Sequence, residues 1–428
     1  MTLSADIAPA NRETDTGSVL LAPPPLVERF PLSIVPRIMG RERRFGVIGA
    51  PQEFRPSQAQ LDCYNAFREI GDPVADALVA AMKSAGSKQL RAQFSYAVDH
   101  GIDSVPEAPQ VLRDFFAEVE SVPYWVDFEE VDRGAEVLLS LGPLAAPMSF
   151  IGLTATYISP DGNAVMFRSG DTRYKAGSRA VETLSWLKEA TEPGALRHGG
   201  AGYKATVRLR LTHAFIRSGM QSRPDWDATV DALPINQQIY GTVISVFAVY
   251  PMAGAMALGM WHSHRDRAAV FHLWRYIAHI IGVHPAMIPT NEADAMRVMW
   301  IYLTKVDKPD GRAREMGEAL VNAFPEIYGV TSNSLRDRAA RSLLRHFHNA
   351  LARLTLGANY AESLGYGRVT PLAYPLTALP FVLFQLSSLL DVVPMVRHAR
   401  LRLMSRASTA LIDRISKATN ADLTYVRE

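Results

Sequence analysis

Cysteine is almost absent from the 428 residues; Cys63 stands alone. A disulfide framework is thereby excluded, and so is a cysteine-ligated zinc or iron–sulfur centre, since each needs several thiolates. Cys63, between Asp62 and Tyr64, reads as an ordinary half-buried residue rather than a nucleophile. An excess of one charge sign is also missing. The 45 Lys and Arg nearly balance the 43 Asp and Glu, and no compact basic stripe with interleaved aromatics is present. Nucleic acid is therefore not an expected partner. The chain has no His-Glu-x-x-His, no glycine-rich phosphate loop ending in Lys-Ser/Thr, no dinucleotide fingerprint and no Gly-x-Ser-x-Gly elbow. These absences remove the common hydrolase, kinase and nicotinamide readings. Residues 1–40 carry Pro23, Pro24 and Pro25 but no continuous apolar segment, and Arg43-Arg44 sits too late for a twin-arginine signal. No export signal is read, so a cytoplasmic location is expected.

What is present is helical periodicity. Apolar positions at Val74, Ala75, Leu78, Val79, Ala81 and Met82 suit one helix face within residues 72–93. Residues 110–121, 128–141, 176–190, 203–217, 235–249, 266–282, 293–304, 313–323 and 336–354 read alike, and strand signals are sparse. The expected organisation is a flexible arm over 1–45, an all-α domain over 46–360 and a different, apolar then basic region over 361–428. Three stretches lack Asp, Glu, Lys and Arg: 137–160, 232–264 and 369–390. Prolines, glycines or amides interrupt the first two, which read as buried core helices. The third runs into Arg397, Arg400, Arg402 and Arg406, the pattern of an interfacial anchor, although Pro371, Pro375 and Pro380 oppose a clean span. It either packs on the protein or touches a membrane, so peripheral membrane contact through 369–406 stays open.

The segment Arg210-Leu211-Thr212-His213-Ala214-Phe215-Ile216-Arg217 carries the most chemistry. His213 has Leu209 and Ile216 on its side of a helix that ends at Ser218-Gly219, with Arg210 and Arg217 at i−3 and i+4. A neutral imidazole in an apolar wall supplies the axial bond of a haem, and nearby arginines meet its propionates. Taken alone, the segment reads first as a hydrogen-bonded core histidine. Upstream, Arg179 and Thr183 are four apart and share one helix face, with Glu182 beside them. Arg179 and Thr183 supply donors and Glu182 a proton acceptor, a trio able to hold dioxygen and steer protons. The other histidines show no ligand spacing. His262-Ser263-His264 precede Arg265-Asp266-Arg267 and read as a solvated turn. His272 and His279 share one face of a helix and read as packing residues. His346 and His348 sit on a basic helix and read as exposed.

The order of these pieces resembles the latex-clearing protein (rubber oxygenase) family, which also includes the fungal mycophenolic-acid-pathway oxygenase. The features are Arg179-x-x-Glu182-Thr183, then twenty-nine residues, then His213 in its segment. Pro234-Ile235-Asn236-Gln237, Thr242, Phe247, Trp274-Arg275-Tyr276-Ile277 and Ile281-Gly282-Val283 follow. The likeness covers residues from about 110 to 305. It implies a globin-like helical core with additional N- and C-terminal helices, holding haem b with His213 as proximal iron ligand. It places Arg179 and Thr183 on the distal helix. Family members carry a Lys beside that Thr, able to cap the iron; Glu182 stands there in this chain and cannot copy a neutral amine. The family's upstream acid/base carboxylate has Asp161 and Asp171 as candidates, with Asn163 between them.

The expected function is a haem b-dependent oxygenase that brings dioxygen to a hydrophobic, alkene-containing substrate, isoprenoid or lipid-like, with oxidative C=C cleavage as its reaction. Two alternatives stay open. One is a haem protein without oxygenase turnover: a sensor, a carrier or a peroxidase-like protein. The other is a membrane-associated helical protein without haem.

Overall fold

The structure is a computed structural model that describes residues 56–84, 87–142, 145–169, 172–257, 262–304, 311–330, 332–370, 382 and 393–419. Among these residues there is no strand, and the class is all-α as expected. The helices of nine residues or more are α1 (Gln58–Ala66), α2 (Pro73–Lys83), α3 (Ser87–His100), α4 (Gln110–Val119), α5 (Phe128–Ser140), α6 (Ala145–Thr156) and α7 (Pro160–Arg168). They continue with α8 (Thr172–Ala190), α9 (Ala201–Gln221), α10 (Gln237–Ala257), α11 (His264–Ile280), α12 (Glu292–Thr304), α13 (Gly311–Ile327), α14 (Leu335–Leu356) and α15 (Pro394–Thr419). The expected arm over residues 1–45 lies outside the described residues.

Local chemistry sets the helix starts. Asp72 caps α2 by accepting from the Ala75 amide at 3.1 Å, with Pro73 in the first turn. Asp127 caps α5, accepting from the amides of Glu129 and Glu130. Ser263 and Asp266 form a reciprocal capping box for α11, so the His262–His264 segment is a helix start rather than a turn. The single helix expected over 72–93 is two, because α2 ends at the Ser84 cap and α3 begins at Ser87. Helix α9 runs past Ser218-Gly219 to Gln221. The Ser222 amide closes it on the Gly219 and Met220 carbonyls, so Gly219 is an interior position and not a stop.

One apolar core runs through the molecule. Helices α5 and α11 cross closely at Gly134, where a Cβ would lie 2.3 Å from the Ala269 carbonyl oxygen. The uncharged run 232–264 contains α10, the one helix among the described residues long and apolar enough to cross a membrane. Its apolar window is 89% buried, packed against α6, α11 and α12, which is how a core helix is enclosed. Helix α15 packs on α5, α8 and α13, with Leu401 and Ile412 turned inward. Residues 371–381 and 383–392, on which the expectation of membrane contact largely rests, lie outside the described residues.

Two burial expectations are corrected. Cys63 is exposed, not half-buried. His348, expected on an exposed basic face, is fully buried: it falls on the inward side of α14, stacked on Phe324 at 3.7 Å between ring centroids.

Candidate functional site: a cavity around His213

Helices α6, α7, α8, α9, α10 and α13 surround a cavity of about 250 Å³ with a largely apolar wall that includes Leu209, Ile216, Ile239, Val243 and Phe247. Helix α9 is buried around much of its circumference, as a helix threading a core must be. It presents His213 to the cavity, and α8 presents Arg179 and Thr183 one turn apart. All three residues line this one cavity.

Tyr240 on α10 holds the imidazole. Its hydroxyl lies 2.6 Å from His213 Nδ1, and the two rings meet edge to face at 5.3 Å. In the tautomer whose Nδ1–H donates to the Tyr240 oxygen, the lone pair resides on Nε2, which has no hydrogen-bond partner among the described residues. Burial pushes the His213 pKa down to about 3, and the charges of Arg217 and Arg179 push the same way. The ring is neutral at any physiological pH. Burial likewise pushes the Tyr157 phenol up to about 12, opposed by Arg179. The Arg179 charge is therefore felt on two sides of the cavity. The Thr183 hydroxyl donates to the Arg179 carbonyl at 3.1 Å, leaving its oxygen lone pairs as the acceptors it offers to a ligand.

Behind His213 stands a network of ions. Arg210 donates to both Asp72 oxygens at 2.7 and 2.9 Å and to Glu118 at 2.9 Å, with its own exposure at 1%. Burial disfavours that charge, but the two carboxylates overcome it and raise the Arg210 pKa. Arg217 donates to Asp76 at 2.8 Å and to the Ile235 carbonyl at 2.8 Å. That second bond anchors Ile235, which lines the cavity at φ +47°, a strained backbone for a β-branched residue. Gly282, at φ +87°, admits the Arg210–Asp72 pair: a Cβ there would lie 2.4 Å from Arg210 Nε. Gln237 ties the same corner together, donating to the Gly71 and Gly282 carbonyls and accepting from the His284 amide.

This network corrects the reading of Arg210 and Arg217 as cations for haem propionates. Neither lines the cavity, and the anions they meet are Asp72, Glu118 and Asp76. Arg210 Nη1 and Arg217 Nη2 remain buried without an acceptor. Glu182 is half-buried beside Thr183 but is not among the cavity-lining residues. Asn163 is buried, donating to the Tyr157 carbonyl at 3.0 Å. The Asp161 side chain and Asp171 lie outside the described residues. Sequence reasoning missed Tyr240, Asp72, Glu118 and Asp76. Only the Asp72-Pro73 helix start carried a local signal; partners 27 and 138 residues from their targets carry none.

The site accommodates a haem b on its donor chemistry. A porphyrin iron takes one protein nitrogen, and His213 offers a neutral imidazole with Nδ1 held by a hydroxyl, in a largely apolar wall. A protein-built metal centre has no comparable donor set: among the described residues no three His, Cys, Asp or Glu gather.

The sequence model of the family described as "ER-bound oxygenase mpaB/B'/Rubber oxygenase, catalytic domain" matches residues 134–381, more than half of the chain. The chain belongs to this family. His213, Arg179, Thr183 and Tyr240 all fall inside the matched span. The rubber oxygenase of Streptomyces sp. (strain K30) is 24% identical over 266 residues, which cover 61% of this chain and 61% of that relative. The solved structure of latex clearing protein in the closed state superposes with a TM-score of 0.62 at 20% identity, covering 81% of this chain and 91% of the other. That superposition establishes a shared helical fold.

Proposed function

We propose that this chain is a haem b-dependent oxygenase that cleaves an alkene bond of an apolar, isoprenoid or lipid-like substrate, with His213 as the axial ligand. The observation that carries the proposal is the neutral His213 imidazole, fixed at Nδ1 by Tyr240 in the same apolar cavity as Arg179 and Thr183. The name of the rubber oxygenase relative supports an alkene as the reacting group. When bound, the haem iron supplies the spin-allowed activation of dioxygen that side chains cannot.

The protein residues do the rest. His213 Nε2 would hold the iron, and the Tyr240 hydroxyl at Nδ1 holds the plane of the ring. Arg179 places a cation in a low-dielectric cavity, where it stabilises negative charge developing on oxygen. Thr183 positions a hydroxyl one turn away. The aliphatic wall excludes water and orients an apolar chain by burial alone. The overall reaction balances without an external reductant: the C=C bond and the O–O bond break, and two carbonyl groups form.

A visible absorption spectrum of the purified protein, before and after dithionite, tests the haem; a colourless protein that gains no Soret band on reconstitution refutes it. A haem protein without turnover is favoured by one observation: among the described residues, no carboxylate lines the cavity. Oxygen uptake by the reduced protein separates the two. Uptake that depends on an added alkene supports the oxygenase, and uptake indifferent to it supports the second reading.

A further inference from the structure

Four hydroxyl and indole groups on the wall of the His213 cavity already have partners. Thr156 Oγ1 donates to the Leu153 carbonyl at 2.7 Å, Thr183 Oγ1 to the Arg179 carbonyl at 3.1 Å and Trp186 Nε1 to Thr206 Oγ1 at 3.2 Å. The Tyr240 hydroxyl is engaged at His213 Nδ1. Tyr157 differs from all four. It lines the same cavity and is 5% exposed, yet its hydroxyl meets no partner among the described residues. Nor is that oxygen sealed in protein, as the unpartnered Tyr203 hydroxyl is; it keeps surface open to the cavity. A buried donor without an acceptor destabilises the fold, and an acceptor atom carried in by a ligand removes that penalty.

The fold holds this phenol in place. Tyr157 stands between α6 and α7, where Asn163 Nδ2 donates to its carbonyl and its own amide donates to the Thr154 carbonyl, both at 3.0 Å. The Tyr302 hydroxyl donates to the adjacent Thr156 carbonyl. Gly162 lets α7 approach, since a Cβ there would lie 2.6 Å from the Thr156 carbonyl oxygen. The two cavity tyrosines also answer to different charges. Tyr240 feels Arg217, Asp72, Arg210 and Asp76, the ions behind His213, whereas Tyr157 feels Arg179. The phenol therefore belongs to the Arg179 side of the cavity. Its pKa, pushed up to about 12 by burial, keeps the proton on the oxygen at neutral pH.

We propose that the Tyr157 hydroxyl is, together with Arg179, the hydrogen-bond donor for a small electronegative ligand taken up by a haem held at His213. The inference rests on the haem reading above and adds a donor to it. Thr183 directs its proton to a backbone carbonyl, so a neutral donor must come from another residue, and Tyr157 supplies one. A fixed donor beside a cation stabilises charge on a ligand atom without having to reorganise.

Fluoride binding to the ferric, haem-loaded, full-length protein reads this donor without turnover, because fluoride is a small anion sensitive to hydrogen-bond donors. Tyr157→Phe removes one oxygen that has no protein partner, so haem content and the urea midpoint should stay at wild-type values. Fluoride affinity at constant pH should fall about tenfold or more, the usual effect of losing a hydrogen bond to a charged group. Tyr157→Met, which also lacks the donor but keeps a long apolar side chain, should show the same loss. Wild-type fluoride affinity in either variant overturns this inference and leaves the haem reading standing, with Arg179 acting alone. A lowered urea midpoint in Tyr157→Phe overturns it as well, by making Tyr157 a packing residue. A wild type that takes up no haem overturns both readings.

Discussion

His213 and His348 are two histidines with the same chemical displacement and opposite surroundings. Burial pushes each pKa down to about 3. His213 lines a cavity and is held at Nδ1 by Tyr240. His348 is clamped between Phe324, stacked at 3.7 Å, and Tyr366, edge-on at 5.4 Å, and neither of its ring nitrogens has a hydrogen-bond partner in good geometry. The backbone at Pro147, which favours the charged ring, offsets only part of the effect of burial. A strongly lowered pKa therefore marks burial and not function. What separates the two residues is space beside Nε2 and a partner that fixes the other nitrogen.

The largest expected effect breaks the comparison outright. His213→Ala should abolish haem retention, read as loss of the Soret band after reconstitution, while His348→Phe keeps it. Haem content at wild-type level in His213→Ala would show that the cavity holds no axial ligand there.

Asp72→Ala comes next. It strands the Arg210 guanidinium in a 1%-exposed position and removes the α2 cap. Breaking a buried pair from one side costs about 3–5 kcal/mol. Urea unfolding should register that loss, and a change under about 1 kcal/mol would show that Glu118 alone satisfies Arg210.

Tyr240→Phe sharpens the comparison by making His213 resemble His348. Haem should still bind, with affinity lowered about tenfold or more, the usual cost of losing the partner of a ligating histidine. Unchanged haem transfer to an acceptor protein would leave Tyr240 a packing residue only.

The effect that is smallest near neutral pH concerns His348 alone. Its folded pKa is depressed, so between about pH 6.5 and 3 the unfolded chain binds a proton that the folded chain refuses. Stability from this ring is thus complete above pH 6.5 and is lost on acidification, about 1.4 kcal/mol per pH unit. His348→Phe should flatten the acid limb of a stability–pH curve by that slope. Parallel curves for variant and wild type would mean that the ring meets a partner when protonated.

The all-α class was legible because α2, α9, α11 and α14 carry their apolar residues at helical spacing and start at Asp72, Gly200, Ser263 and Ser334. The break at Ser84 was not, because both segments continue the same periodicity and only packing shows where they part. Arg179, Thr183 and His213 were found from spacing and resemblance, and the fold brings them to one cavity. Arg210 and Arg217 were misread for a physical reason. Positions i−3 and i+4 place a residue near a histidine but do not say which neighbouring helix its long side chain will reach. Here α2 and α4 offered carboxylates, and a buried guanidinium takes the nearest anion.

The sequence by itself determined the helical class, the apolar spacing that most helices turn to the core and the absence of any cysteine-built centre. Each of these depends on neighbours within a few residues along the chain. Only the tertiary structure decided that Tyr240 would hold the His213 imidazole, that Asp72 would hold Arg210, and that His348 would be buried between Phe324 and Tyr366. The reason is range. Hydrogen bonds and ion pairs are made by whatever the packing of distant helices brings within about 3 Å, and periodicity carries no record of that meeting.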